Sequence, residues 1–248
     1  MAFVGAALLA ALSLLQDDPR LEEVSRGWRH AWDGYPSGST VRMKQTTRRP
    51  EISDAGELVY KTEVAEVVTT LLTPEGEKPM LQIRSGGQES HVPFFKTLPN
   101  WFRGKIEPKG HEEIAVGKRK YDCTVTRIAL DEGKDVSQVT TIAKAPDAPI
   151  WAVRMRVETL AGGVANTVEE QLLVAEEQKL KVGEQELSCA VVQVTTESTG
   201  GSKTVRKEWR SEAVPGGLVR REVKQYLNDK EIEAAGSTIE VVSYKINK

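Results

Sequence analysis

Four kinds of residue grouping in this chain could do chemistry. Adjacent carboxylates occur at Glu112-Glu113, Glu169-Glu170 and Glu176-Glu177. Paired acids suit acid–base or glycosidic chemistry when two separate elements bring them across a cleft. Neighbours on one strand point to opposite faces, so these three pairs read as solvated strand ends rather than as dyads. Two cysteines, Cys123 and Cys189, could bridge or act as nucleophiles. A nucleophilic thiol needs an activating base or a positive environment, and no spacing places His30, His91 or His111 beside either one. With three His and two Cys in total, no metal site is expected, and no cofactor. Val214-Pro215-Gly216-Gly217 could cradle a phosphate, but the Lys-Ser/Thr and helix that such a loop needs do not follow. Pro at the second position and Gly at the third instead match a type II turn.

The fourth grouping is aromatic. Val92 to Lys105 reads VPFFKTLPNWFRGK and holds Phe94, Phe95, Trp101 and Phe102, broken by Pro93 and Pro99. One reading is a hydrophobic plug that closes one end of the core. The other is a contact loop for an apolar ligand or an envelope partner, and these four residues are then the candidate contacts.

The elements that would carry these groups are mostly strands. The chain has 248 residues, 34 basic and 36 acidic side chains and a net charge of −2. That balance excludes an electrostatic nucleic-acid binder, and the supply of β-branched residues excludes a disordered chain. Residues 1–16 read as a secretory signal peptide. Ala2 to Leu15 is apolar and uncharged, too short to span a bilayer, and followed by Gln16-Asp17-Asp18-Pro19. A buried N-terminal helix is the alternative, since the segment lacks Lys and Arg. No later run is apolar enough to cross a membrane. The mature chain is therefore expected to be exported, to the periplasm or beyond.

Residues 17–35 are expected to hold one short helix. Asp18 can cap it, Pro19 can open it, and Leu21, Val24, Trp28 and Ala31 form an apolar stripe. From Ser39 onward, alternation and turn signals predict strands. Residues 36–110 would contain the first hairpins and an aromatic-rich insert at about 87–110. Residues 111–248 carry an internal repeat with an offset of 66. Val116, Gly117, Cys123, Val125, Val139, Pro149, Val153, Arg154 and Val157 recur identically 66 positions on. That is nine identities in 42 positions, where composition alone gives about three.

Two hairpin types alternate: one over 40–68, 152–177 and 218–245, the other over 112–144 and 178–210. The expected fold is mainly β: an antiparallel meander of repeated hairpins that curls into a strongly curved sheet or open half-barrel, with the helix on one face. Two smaller packed sheets are the second choice. In either, the two cysteines sit on equivalent strands several strands apart. That spacing leans toward two free buried thiols over a Cys123–Cys189 disulfide.

The motifs Val-Gly-x5-Cys-x-Val (Val182 to Val191) and Val-Pro-Gly-Gly-Leu-Val-Arg (Val214 to Arg220) resemble a group of exported, β-rich bacterial proteins of uncharacterised function. The architecture more loosely resembles the half-barrel carriers that move lipoproteins across the periplasm. Neither resemblance implies an activity. The expected function is that of an exported, non-catalytic β protein of the cell envelope, binding an apolar ligand or an envelope partner. The alternatives are a structural or protein-interaction module without a ligand pocket, and an enzyme whose residues come from distant strands.

Overall fold

The structure is a computed structural model, and it describes residues 19–73, 78–93, 102, 104–131, 136–232 and 236–247. Residues 1–16, read from the sequence as a signal peptide, and with them Phe94, Phe95 and Trp101, lie outside that set.

The fold is mainly β, as expected: among the described residues there are fourteen strands in one antiparallel, open sheet and one short N-terminal helix. The helix α1 covers Pro19–Ser25, shorter than the 17–35 expected from the apolar stripe. Gly27 stops it by adopting φ +80°, a left-handed conformation that ends helices at little cost for glycine. Trp28 and Trp32 therefore pack from turns rather than from a helix face.

Four strands form an N-terminal meander: β1 (Thr40–Ile52), β2 (Leu58–Leu72), β3 (Met80–Ser85) and β4 (Gln88–Pro93). Five more form a second: β5 (Lys105–Val116), β6 (Arg119–Asp131), β7 (Val136–Lys144), β8 (Arg154–Ala161) and β9 (Val164–Val182). It continues through β10 (Gln185–Ser198), β11 (Ser202–Arg210), β12 (Leu218–Leu227), the two-residue β13 (Lys230–Glu231) and β14 (Ser237–Lys245). The expected insert at about 87–110 thus already contains β4 and the start of β5.

Strand order corrects the expectation of one uninterrupted meander. β14 pairs with β1, so the two meanders join through the C-terminal strand, and β4 and β5 become the two edges. Twelve peptide steps connect Pro93 on one edge to Lys105 on the other, a reach of at most about 43 Å. Thirteen strands laid flat would separate those edges by about 58 Å, so the sheet must bend. It bends twice about β9. Strands β5 and β14 each approach within 8 Å of β9 (Cα to Cα) although three strands lie between. On a flat sheet that separation would be about 19 Å.

The 66-residue offset runs through this geometry. β6 and β10 begin at Arg119 and Gln185, and β7 and β11 end at Lys144 and Arg210. The pairings Ile128–Thr140 and Ile142–Met155 recur as Val194–Arg206 and Glu208–Arg221. One core cluster gathers Val116, Tyr121, Cys123, Val125, Ala143 and Val153. A second gathers their counterparts Val182, Leu187, Cys189, Val191, Trp209 and Val219, to which Trp32, Val41, Leu71 and Val241 are added. The 19-residue β9 serves both curls, closing the first and opening the second.

The turn at Val214–Gly217 has the expected geometry. Gly217 N–H donates to the Val214 carbonyl at 2.8 Å, and Gly216 has φ +81°. A Cβ at Gly216 would also lie 2.9 Å from the Trp32 ring nitrogen, so two independent constraints select glycine there.

Candidate functional site

Of the four aromatic candidates, Phe102 alone falls among the described residues. It is 2% exposed. Its ring meets Trp151 edge-on at 5.8 Å, inside a cluster with Val24, Ile106, Ile128, Ile142 and Ala152. That is the plug position, not a contact surface. Leu21, Val24 and Trp28 pack on the same cluster, so the helix segment covers this face of β5–β7. Lys144 fastens it from below, its ammonium donating to the carbonyls of Glu23, Val24 and Arg26 at 3.3, 2.8 and 2.8 Å. Those are the carbonyls a helix end leaves unpaired, and a cation suits them.

Cys123 and Cys189 are free, so the disulfide that the sequence left open does not form. The strands between β6 and β10 hold them apart along the sheet, well beyond the roughly 7 Å a bridge can span. Each thiol is buried and donates back to a carbonyl two residues earlier, Cys123 to Tyr121 at 3.7 Å and Cys189 to Leu187 at 3.8 Å. Burial pushes both thiols above their usual range, which removes nucleophilic thiolate at neutral pH.

Members of each acid pair point to opposite faces of a strand, and at least one carboxylate of each is held in an ion pair. Glu112 accepts from Arg154 at 2.6 Å and Glu113 from Lys120 at 2.7 Å. Glu176 takes Arg119 at 3.0 Å, and the same guanidinium also binds Asp147 and lies 4.7 Å over the Tyr121 ring. Glu169 accepts from Thr196 at 3.2 Å and Arg206 at 3.3 Å. Among the described residues, the most buried carboxylate is one that sequence reasoning missed. Glu208 is 3% exposed and sits between Arg210, which donates at 2.6 and 3.0 Å, and Arg221, which donates at 2.8 Å. Burial alone would raise its pKa, but the two guanidiniums outweigh that and hold the carboxyl below its usual range. It is therefore an ionised anchor, unsuited to donating a proton at neutral pH.

Register explains why Glu208 is there. It stands 66 residues after Ile142, and Arg221 and Arg210 stand 66 after Met155 and Lys144. In the first curl this face is apolar and lies under the helix segment. In the second, the register puts Arg206, Arg210 and Arg221 on the face of the buried Val192 and Val194, where Glu208 pairs with Arg210 and Arg221 while Arg206 pairs with Glu169.

Among the described residues, no group of three or more His, Cys, Asp or Glu side chains could hold a metal ion. A shallow polar cleft of about 350 Å³ lies among Glu197, Ser198, Gly201, Ser202, Lys203, Asn228 and Asp229. It is the gap between two hairpin tips. Asn228 and Asp229 both have positive φ, as a type I′ turn requires.

The surface feature without a structural explanation is the far end of the first hairpin. β14 pairs β1 only from Thr40 to Thr47, and β3 pairs β2 only from Val67 to Leu72. Among the described residues, the span from Arg48 to Thr62 is therefore a two-stranded arm, about 17 Å long, with Val64 at its base where β14 still pairs β1. Its turn is closed by Ser53 N–H to the Glu57 carbonyl and Gly56 N–H to the Ser53 carbonyl, both at 2.8 Å.

Directly opposed residues share a face. Thr47–Glu63, Arg49–Lys61 and Glu51–Val59 point to one side. There Arg49 pairs with Glu63 at 3.2 Å and Lys61 with Glu51 at 3.8 Å. Thr46–Val64, Arg48–Thr62, Pro50–Tyr60 and Ile52–Leu58 point to the other. On that side Ile52 is 74%, Leu58 61%, Tyr60 50% and Val64 61% exposed. Period-two alternation in Pro50-x-Ile52 and Leu58-x-Tyr60 was the sequence signal for this face. It reads there as an ordinary half-buried hairpin, because nothing local says that the rest of the sheet stops short.

Among the described residues no helix is long and apolar enough to cross a membrane. The fold defines a class, an open antiparallel sheet of two curls that share a strand. Compared with known proteins, the chain matches no family model, no curated protein and no solved structure.

Proposed function

We propose that this chain is an exported, non-catalytic β protein of the cell envelope that works by contact with a protein partner, through the apolar face of the β1–β2 arm. The observation that carries this reading is the row Ile52, Leu58, Tyr60 and Val64, at least half exposed on one side of the arm. Large apolar side chains grouped on one face mark interaction surfaces. Burying each against a partner is worth about 1.5–3 kcal/mol. The burial of Phe102 moves the contact away from that part of the aromatic segment and toward the arm. The non-catalytic part rests on Glu112, Glu113, Glu169, Glu176 and Glu208, each held by a guanidinium or ammonium partner, and on the two buried thiols. Export rests on the apolar run Ala2 to Leu15.

Two measurements test the reading. The chain expressed in a bacterium with its own N-terminus should be recovered outside the cytoplasm, with a new N-terminus close to Gln16. Full-length chain confined to the cytoplasm sinks the export half. A photo-cross-linking residue placed at position 60 should trap protein in living cells, while the same residue at position 179, on an exposed charged strand end, should not. Equal trapping at both positions, or none at 60, sinks the contact half.

A further inference from the structure

We infer that the arm's partner is a second copy of this chain, the apolar face of one β1–β2 arm packing on the same face of another; the inference rests on the contact reading above.

Three features of the arm favour a second copy. The face is self-complementary. The tip pairs Ile52–Leu58 and Pro50–Tyr60 present only apolar and aromatic surface, and the one charge on this face of the arm, Arg48 opposite Thr62, is exposed and has a stem long enough to carry its guanidinium to the rim when the row meets itself. The size is adequate. Four side chains at these exposures offer on the order of 500 Å² per arm, and two arms together reach about 1,000 Å², where specific interfaces begin. The charge is compatible. Between positions 48 and 62 stand three basic residues (Arg48, Arg49, Lys61) and three acidic ones (Glu51, Asp54, Glu57), a difference of 3 − 3 = 0. Two copies therefore repel only weakly. An anionic lipid surface, the other taker of an exposed apolar ribbon, would need a basic excess that the arm lacks. The ion pairs on the opposite face stiffen the ribbon, so it loses little freedom on docking.

Such an interface sits at the lower end of the specific range, so dimerisation in the micromolar range is expected. The test is light scattering with analytical ultracentrifugation on the chain as the cell matures it. At about 100 μM, above a micromolar dissociation constant, the wild type should run at twice the chain mass and dissociate on dilution. The double variant Ile52→Lys with Leu58→Lys should be monomeric at the same concentration, with an unchanged circular dichroism spectrum and Tm. Should the lysines disturb folding, Leu58→Ser with Tyr60→Ser provides the second test.

A wild type monomeric at about 100 μM overturns the inference, and so does a dimer that survives both double variants. The position-60 cross-link separates the two levels of the argument. A trapped product at twice the chain mass supports both. A heterologous product overturns the self-contact and leaves the partner-contact reading standing. No product removes both.

Discussion

Glu208 carries the most consequential single side chain, because its charge is buried and its counter-charges are not. Replacing it with Gln leaves Arg210 and Arg221 without a formal partner, at a cost of about 1–3 kcal/mol after allowance for their partial exposure. The sign of the pH dependence follows from the direction of its shift. The folded carboxyl titrates below its usual value of 4.5, so its stabilisation is fully present above that value. It is lost as pH falls from there through the folded pKa. Urea denaturation of wild type and Glu208→Gln should show a stability gap that narrows as pH falls below 4.5; a gap that stays constant with pH would show that Glu208 contributes by packing alone. The two thiols make a second residue-scale prediction. Both should resist a thiol reagent in the native protein and react fully in denaturant. Fast reaction of either one without denaturant would contradict its burial. Local patterns made the cysteines and the Gly216 turn readable in advance. Glu208 was not, because an acidic residue alternating with apolar ones looks like an outward-facing strand position until the neighbouring arginines are placed beside it.

At the scale of elements, α1 is held by its surroundings rather than by its own propensity. Seven residues are too few for a stable isolated helix. Its apolar side rests on Ile106, Ile128 and Ile142, and its last carbonyls rest on Lys144. Lys144→Met keeps the stem and removes the donors. It should cost about 1–2 kcal/mol, and hydrogen exchange should quicken at residues 22–28 before it quickens in β6 or β10; uniform quickening would mean that the lysine supports the whole sheet. The turn at Val214–Gly217 offers a companion test. Gly216→Ala meets both an unfavourable φ and the Trp32 ring, and should destabilise by about 1–3 kcal/mol. The same change at Gly162, whose Cβ meets no atom within 4 Å, should cost less. The helix was legible from its capping residues and stripe, but its length was not. Gly27 in a helical pattern can be tolerated or can stop the helix, and the docking of Trp28 and Trp32 decided between them.

At the scale of the whole molecule, β9 is the shared wall of both curls. Leu173 on β9 is 1% exposed and packs with Val153 and Ala190. Leu173→Ala should cost about 2–5 kcal/mol, and the protein should still unfold in one transition, since neither curl closes without this strand. Two resolved transitions by calorimetry would show that the curls are independent. By contrast Ile52→Ser and Val64→Ser on the arm should change stability by less than about 0.5 kcal/mol, because neither side chain is buried in the single chain.

The amino-acid sequence by itself determined the strand content, the turn positions and the 66-residue repeat. These rest on short-range causes: side-chain alternation, glycine and proline geometry, and identical residues at one offset. Only the tertiary structure decided the order of strands and the fate of each face. β14 adds to β1 because the sheet curls far enough for the chain's last strand to meet its first. That closure leaves the tip of the first hairpin beyond its neighbours, and the docking of the helix segment on β5–β7 buries Phe102. Period-two patterning marks one side of a strand as apolar, but it does not say what will cover that side. In the first curl the cover is a helix, in the second a layer of arginines around Glu208, and on the arm, we propose, another copy of the same arm.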